Sequence, residues 1–372
     1  MDAPLLEVEN LRTYFHSRAK RAFIRSVDGV SLAVGRGETL GIVGESGSGK
    51  TVAALSVAGL VTAAPGVIGG RVELHSLRMR RNLLEGLERY VRVEEHAGRV
   101  VSVEKDEQGW RRHAETLMKG VRGKEIAMIF QNPRSALNPY SRIGAQLVET
   151  VRLHTSFKGG REAKERALHW LERVRIDSPR LRFDGFPFGM SGGMCQRAMI
   201  AMALCAEPSL LIADEPTTGL DATIQARIVD LLGQLKAETG VATLLISHDI
   251  SVIQRLSDRV AVMYGGTVVE TGRSAEVLGA QAGARHPYTA ALLASIPGAE
   301  AIRRKSYLQA IEGEVLDTIA VPRGCRFYGR CNRVTEAIRE HCAGAEPPLA
   351  EVAPGHKLRC WLHASAAPEP RA

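Results

Sequence analysis

Residues Gly44, Glu45, Ser46, Gly47, Ser48, Gly49, Lys50 and Thr51 have the spacing G-x-x-x-x-G-K-[ST], a pattern suited to phosphate chemistry. The glycines let the backbone wrap a phosphate with N–H groups pointing inward, and a helix N-terminus behind them adds positive potential. Lys50 is then placed to reach the β- and γ-phosphates and Thr51 to ligate Mg²⁺. Downstream, the apolar run in LLIADEP closes on Asp214 and Glu215. Asp214 is expected to hold Mg²⁺ through water, and Glu215 to orient and polarise an attacking water. Two adjacent carboxylates at a strand end are costly to bury without a cation. His248 in LLISHD and Gln131 in MIFQNP end apolar runs in the same way. That placement offers an imidazole and an amide to the γ-phosphate, the metal and the water.

A fold must bring these run ends together. Residues 5–11 and 27–34 read as short strands, and ETLGIVG as a buried strand ending in the glycine turn, with a helix from about Lys50. SLLIADEP and ATLLISHD are two further runs of strand length, flanked by helical stretches. Alternating helices and apolar strands predict an α/β core around a mainly parallel sheet, with its functional residues at the carboxyl ends of the strands. From about 78 to 113 the chain carries dense charge of both signs, and YVRVEE and RVVSVE alternate around HAG, which predicts an inserted β-hairpin. A composition shift near 280, in AQAGARHP, marks a boundary. Beyond it, Pro, Cys and Arg in short spans read as a small stapled module rather than a continuation of the sheet.

The chain has 372 residues, 45% hydrophobic and 24% charged, as expected of a globular protein with one large core and a smaller module. Only the terminal SAAPEPRA reads as disordered. A net charge of +8 is compatible with nucleic acid, an anionic membrane face or a nucleotide, and selects none of them. No apolar run approaches the roughly 20 residues of a membrane-spanning helix, and MDAPLLEVENLR lacks the pattern of a signal peptide, so a cytoplasmic chain is expected. In that setting its 6 cysteines read as thiols or metal ligands rather than disulfides.

Taken in order, GESGSGKT, FQNP, SGGM, LLIADEP, TTGLD and ISHD resemble the ATP-binding subunits of ABC transporters over roughly residues 5–275. The resemblance implies a P-loop NTPase fold, an α/β RecA-like core with helical and antiparallel β subdomains. The ABC ATPase domain would span 1–275 with the insertion at about 78–113, followed by a cysteine-containing C-terminal module at 276–372. It implies ATP and Mg²⁺ as ligands, ATP hydrolysis, and two ATPase domains paired head to tail. Ser191, Gly192 and Gly193, the signature, would then close on the ATP held by the partner. Such a helix N-terminus presents donors and a positive dipole end, worth about 0.3–1 kcal/mol toward an anion. The same resemblance places Asp221 where the subunits exchange contacts, and makes Phe15 the aromatic that stacks on adenine, with Tyr14 as second candidate.

HPYTAALLASIP at 286–297 and FQNPRSALNP at 130–139 are similar to the oligopeptide, dipeptide and nickel permease branch of ABC importers. That branch implies a second ATPase chain forming a heterodimer, two transmembrane permease subunits and an extracytoplasmic solute-binding protein. The place implied is peripheral, on the cytoplasmic face of the cell membrane, and the task is uptake of a small solute, di- or oligopeptides first. A soluble ABC-type ATPase acting on nucleic acid or ribosomes is the competing class. One signature motif and no sustained heptads weigh against it, so no nucleic acid partner is expected.

Met190 stands where the family usually has leucine, Cys195 where arginine is common, and FPFGM replaces more polar residues ahead of the signature. In the tail, Cys325, Cys331, Cys342 and Cys360 give C-x5-C-x10-C-x17-C. Four thiolates suit zinc or an iron–sulfur cluster, and free thiols remain a third reading. The spacing is more open than a zinc ribbon, and the resemblance to the permease branch favours [4Fe-4S]. Its remoteness in sequence from every phosphate group points to a structural or regulatory role.

Overall fold

The computed structural model describes residues 3–96, 99–279, 283–295 and 311–364; the SAAPEPRA tail lies outside them. Strands run Leu6–Ser17 (β1), Ala22–Val34 (β2), Thr39–Val43 (β3), Pro65–His75 (β4), Arg80–Asn82 (β5), Val91–His96 (β6) and Arg99–Lys105 (β7). They continue with Ile126–Ile129 (β8), Leu210–Asp214 (β9), Ala242–Ile246 (β10), Arg259–Tyr264 (β11), Thr267–Arg273 (β12), Ala350–Ala353 (β13) and His356–Leu358 (β14).

β3, β9 and β10 are five-residue runs buried at every position. Such strands pair best in parallel, covered on both faces. They form the middle of an eight-stranded sheet of order β13-β14-β12-β11-β3-β10-β9-β8, parallel from β11 to β8. The carboxyl ends of β3, β8, β9 and β10 therefore share one edge. On one face a second, antiparallel sheet of order β2-β1-β4-β5 covers the core. It shares with the central sheet a cluster that includes Leu11, Val30, Ile42, Ala54, Val72, Ile212 and Ile246. On the other face lies a helical layer. Helix Gly160–Arg173 buries Ala163, Ala167, Trp170 and Leu171, the i, i+4, i+7, i+8 stripe of an amphipathic helix. Those side chains meet Ile143, Leu147 and Val151 from helix Ile143–His154 in one core.

The hairpin expected around HAG is present. β6 and β7 pair antiparallel from Val91↔Lys105 to His96↔Arg99, and helix Glu107–Met118, capped by the Asp106 side chain on Gly109 N–H, follows. Lys105 anchors it. Its ammonium donates to the carbonyls of Pro65 and Val67 and lies 3.8 Å over the Trp110 ring.

Two expectations change. β1 runs on to Ser17 and β2 starts already at Ala22, so both are longer than the short strands the sequence suggested, because the two pair with each other along their length and β1 also pairs with β4. The tail is not separate from the sheet. β14 pairs with β12 at Glu270↔Leu358 and Thr271↔Lys357, so residues beyond 276 extend the central sheet. No run of alternating residues in the tail is long enough to announce this, since β13 and β14 span only 4 and 3 residues.

Candidate functional site

The P-loop joins β3 to helix Lys50–Val57. Two of its glycines are required by close backbone approach. A Cβ at Gly49, whose φ is +99°, would lie 2.1 Å from the Ser26 carbonyl oxygen, and one at Gly44 would lie 2.2 Å from that of Met263. Larger residues would push the loop off β2 and β11. Lys50 Nζ donates to the carbonyls of Gly44 and Glu45, each at 2.8 Å. Burial lowers its pKa, against the pull of Glu215, Asp214 and Glu45. These carbonyls hold the ammonium at the mouth of the loop that phosphates would enter.

Asp214 ends β9, and its carboxylate accepts from Thr51 Oγ1 at 3.0 Å. Burial raises its pKa and Glu215 adds to the rise, while Thr51 and Lys50 oppose it. A nearby cation would relieve that cost. Glu215 takes a left-handed backbone, φ +46°, which a non-glycine residue adopts at some cost and typically at functional sites. Its N–H donates to Ile246 O at 2.9 Å. Three side chains then converge on its Oε2: Gln131 Nε2 at 2.8 Å, Thr218 Oγ1 at 2.8 Å and His248 Nδ1 at 3.3 Å. The structure thus brings together Lys50, Thr51, Gln131, Asp214, Glu215 and His248 from the ends of four parallel strands. Thr218 was not expected; TTGLD offered a threonine, but no spacing rule pointed it back at Glu215.

Ser191, Gly192, Gly193 and Asp221 form a second group. Ser191 caps helix Gly192–Leu204 by accepting from Met194 N–H at 3.3 Å, and Asp221 caps helix Ala222–Thr239 through Ile224 N–H at 3.0 Å. The two helix starts pack together, since a Cβ at Gly193 would lie 2.7 Å from Ile224 Cγ2. Among the described residues no hydrogen bond or ion pair ties this group to the P-loop. Met190 is buried in the helical core, where one large apolar side chain serves as well as another. Cys195 is buried too, its thiol directed at Pro187 O at 3.6 Å, and Phe188 stands exposed, stacked on Phe186.

On β1 the neighbouring aromatics face opposite ways. Tyr14 is fully buried, donating to Asp28 Oδ1 at 2.6 Å, and is therefore unavailable for stacking. Phe15 is half-buried at the register of Ile24 and Pro65. Glu45, Ser46, Gly47 and Ser48 complete the loop, Ser48 buried and Ser46 exposed.

Cys325, Cys331, Cys342 and Cys360 line one cavity together with His286, Phe327 and Trp361. No three of the four sulfurs lie within 4.8 Å of one another. Burial raises all four thiol pKa values, to about 12 at Cys325 and about 11 at Cys360. Two contacts from this region were not legible in sequence. Tyr288 Oη accepts from Glu45 N–H at 2.7 Å, and Arg330 pairs with the Glu45 carboxylate. Remote in sequence, the tail touches the P-loop in space through these two contacts.

Residues 27–218 match the family described as ABC transporter, and residues 269–337 the oligopeptide/dipeptide transporter C-terminal region. A putative peptide import ATP-binding protein of Brucella abortus is 41% identical over 362 residues, 96% of each chain. The dipeptide transport ATP-binding protein DppD of Escherichia coli is 37% identical over 360 residues, again 96% of each. Among solved structures, the dimeric bacterial ABC transporter cassette MJ0796 aligns with TM-score 0.56 at 23% identity, over 72% of this chain and 98% of that one. The same cassette in a post-hydrolysis state bound to ADP and Pi gives 0.55 at 22% identity, with the same coverage. At that identity the structural likeness speaks for the fold alone, and it is the ATPase cassette fold. With the strand-end constellation and these matches together, the chain belongs to the ABC transporter family, as an ATP-binding subunit of the oligopeptide/dipeptide branch.

Proposed function

We propose that this chain hydrolyses ATP to drive import of di- or oligopeptides, as the peripheral ATPase subunit of a membrane transporter. The observation that carries the chemistry is the convergence of Gln131, Thr218 and His248 on one oxygen of Glu215, beside the Thr51–Asp214 pair. The Gln131 and Thr218 donors fix the carboxylate's orientation, with the His248 imidazole beside them, and leave its other oxygen to take a proton from water. In this reading Lys50 exchanges the carbonyls of Gly44 and Glu45 for the β- and γ-phosphates. Mg²⁺, held by Thr51, Asp214 and Gln131, would supply charge neutralisation between the phosphates. Phe15, half-buried on β1, is the aromatic available to adenine. Ser191, Gly192, Gly193 and Asp221 are assigned to the partner's site in a head-to-tail pair, so a second ABC ATPase, in a heterodimer, completes the catalytic unit.

Peptides are the favoured cargo because the relatives carry names of peptide and dipeptide import. Those names also weigh against the nucleic-acid reading. Two permease subunits and an extracytoplasmic binding protein are the further partners proposed. No helix among the described residues is long and apolar enough to cross a membrane, so the chain would reach the cytoplasmic face through those subunits. Gentle purification of the tagged chain from native membranes, with identification of co-purifying proteins, tests this. Two multispanning proteins and a second ATPase are expected; recovery of ribosomes or DNA-binding proteins without them would overturn it.

The four tail cysteines are assigned to a metal group, [4Fe-4S] ahead of zinc or free thiols. The shared cavity supports a common ligand. Four Zn–S bonds of 2.3 Å in a tetrahedron would draw the sulfurs to roughly 3.8 Å from one another, tighter than their spread here. A cluster would tie the three segments of the tail together. Anaerobic purification with iron, sulfide and zinc analysis distinguishes the three readings.

A further inference from the structure

Cys325 and Cys331 bracket Arg326-Phe327-Tyr328-Gly329-Arg330, and both arginines leave the cysteine loop for the edge of the sheet that carries the P-loop. Arg330 forms a two-pronged pair with Glu45, Nη1 to Oε2 at 2.7 Å and Nη2 to Oε1 at 3.1 Å, across 285 residues of sequence. Only 6% of its side chain is exposed. The rest of the guanidinium is held by the carbonyls of Glu312 at 3.0 Å and Ile311 at 3.3 Å and by the Tyr264 hydroxyl at 3.4 Å. Arg326 reaches Asp28 Oδ2 on β2 at 2.9 Å and the Gly265 carbonyl at 2.6 Å. Gly266, next in the chain, donates to the P-loop carbonyl of Ser48 at 3.1 Å. The rings of Tyr264, Tyr288 and Phe327 pack between, with centroids 4.7–5.4 Å apart.

Glu45 is consequently gripped from every side. Its N–H goes to Tyr288, its carbonyl accepts from Lys50, and its carboxylate is neutralised by Arg330. A forked guanidinium–carboxylate pair fixes direction as well as charge. Without it, a bare carboxylate would stand beside an incoming polyphosphate, where like charges repel.

We propose that Arg330 is a positioning residue for the P-loop: by fixing and neutralising Glu45 it keeps the loop receptive to a nucleoside triphosphate. The guanidinium is placed by the fold of the Cys325–Cys331 loop, so the state of the cysteine site is passed to nucleotide affinity. The proposal rests on the reading of residues 44–51 as a nucleotide site.

The test is equilibrium titration of the full-length chain, purified with its native metal content, using a fluorescent ATP analogue and Mg²⁺, alongside thermal melting and the ATPase kinetics of the assembled pair. Saturable binding to the wild type, displaced by ATP, checks the nucleotide site itself; its absence would fail that reading before the proposal is reached. Given wild-type binding, Arg330→Met should weaken affinity about tenfold, within the range of couplings measured in shared networks, with kcat changed less than about twofold. Arg330→Lys, which keeps the charge and loses the fork, should fall between, and remains informative if the methionine variant does not fold. Cys331→Ser should weaken affinity in the wild type and add little in the Arg330→Lys background. Wild-type affinity in the folded arginine variants would overturn the proposal. Full additivity of Cys331→Ser with Arg330→Lys would overturn the link to the cysteine site.

Discussion

Replacing Glu215 with glutamine isolates proton transfer from everything else at the site. The two donors on Oε2, from Gln131 and Thr218, can both be accepted by an amide oxygen in the same place, with the His248 ring still beside it, so the side chain should keep its orientation. Its other arm becomes an NH2, which cannot take a proton from water. Loss of a general base typically costs about 10²–10⁴ in rate, or about 2.7–5.4 kcal/mol at 1.36 kcal/mol per tenfold. Binding should survive. Lys50 loses one of its attracting carboxylates but retains Asp214 and Glu45, and the glycine backbone is untouched. Phosphate release by the assembled ATPase pair measures the first effect, and analogue binding the second. Turnover near wild type would refute the assignment of Glu215 as base. Loss of binding together with turnover would mean that the residue builds the pocket rather than activating water.

Gly49→Ala should abolish measurable nucleotide binding, because the added carbon would sit 2.1 Å from the Ser26 carbonyl at φ +99°; the same titration reads it. Trp170→Ala, removing a fully buried ring from the helical layer, should cost about 3–5 kcal/mol in denaturant unfolding. Asp28 is buried, which by itself would raise its pKa, yet Arg326, Tyr14 and Arg25 hold it below the usual carboxylate range. A depressed native pKa contributes stability above the unfolded value, about 3.9, and that contribution is lost as pH falls through the native one. Asp28→Asn should therefore flatten the acid limb of the stability profile below about pH 4, as acid titration followed by circular dichroism would record.

The local chemistry was legible in the sequence. A glycine-rich loop between an apolar run and a helix, carboxylates closing another run, and a serine-glycine-glycine helix start are short-range patterns, and each sits where its pattern put it. Parallel strands buried on both faces read as uninterrupted apolar runs, so the α/β core and its functional edge followed from composition over five or six residues. The charged insertion announced its hairpin through simple alternation.

Tertiary structure decided what depends on pairing between distant segments. Which aromatic of β1 faces inward was fixed by Asp28 accepting from Tyr14, a contact between strands that neither local sequence specifies. The membership of β13 and β14 in the central sheet rests on a few ladder bonds to β12, too short a stretch to carry a period. The grip of Arg330 on Glu45 crosses 285 residues. Sequence states residue types and near neighbours, whereas an ion pair between a P-loop and a cysteine loop exists only because the folded chain returns to the same edge.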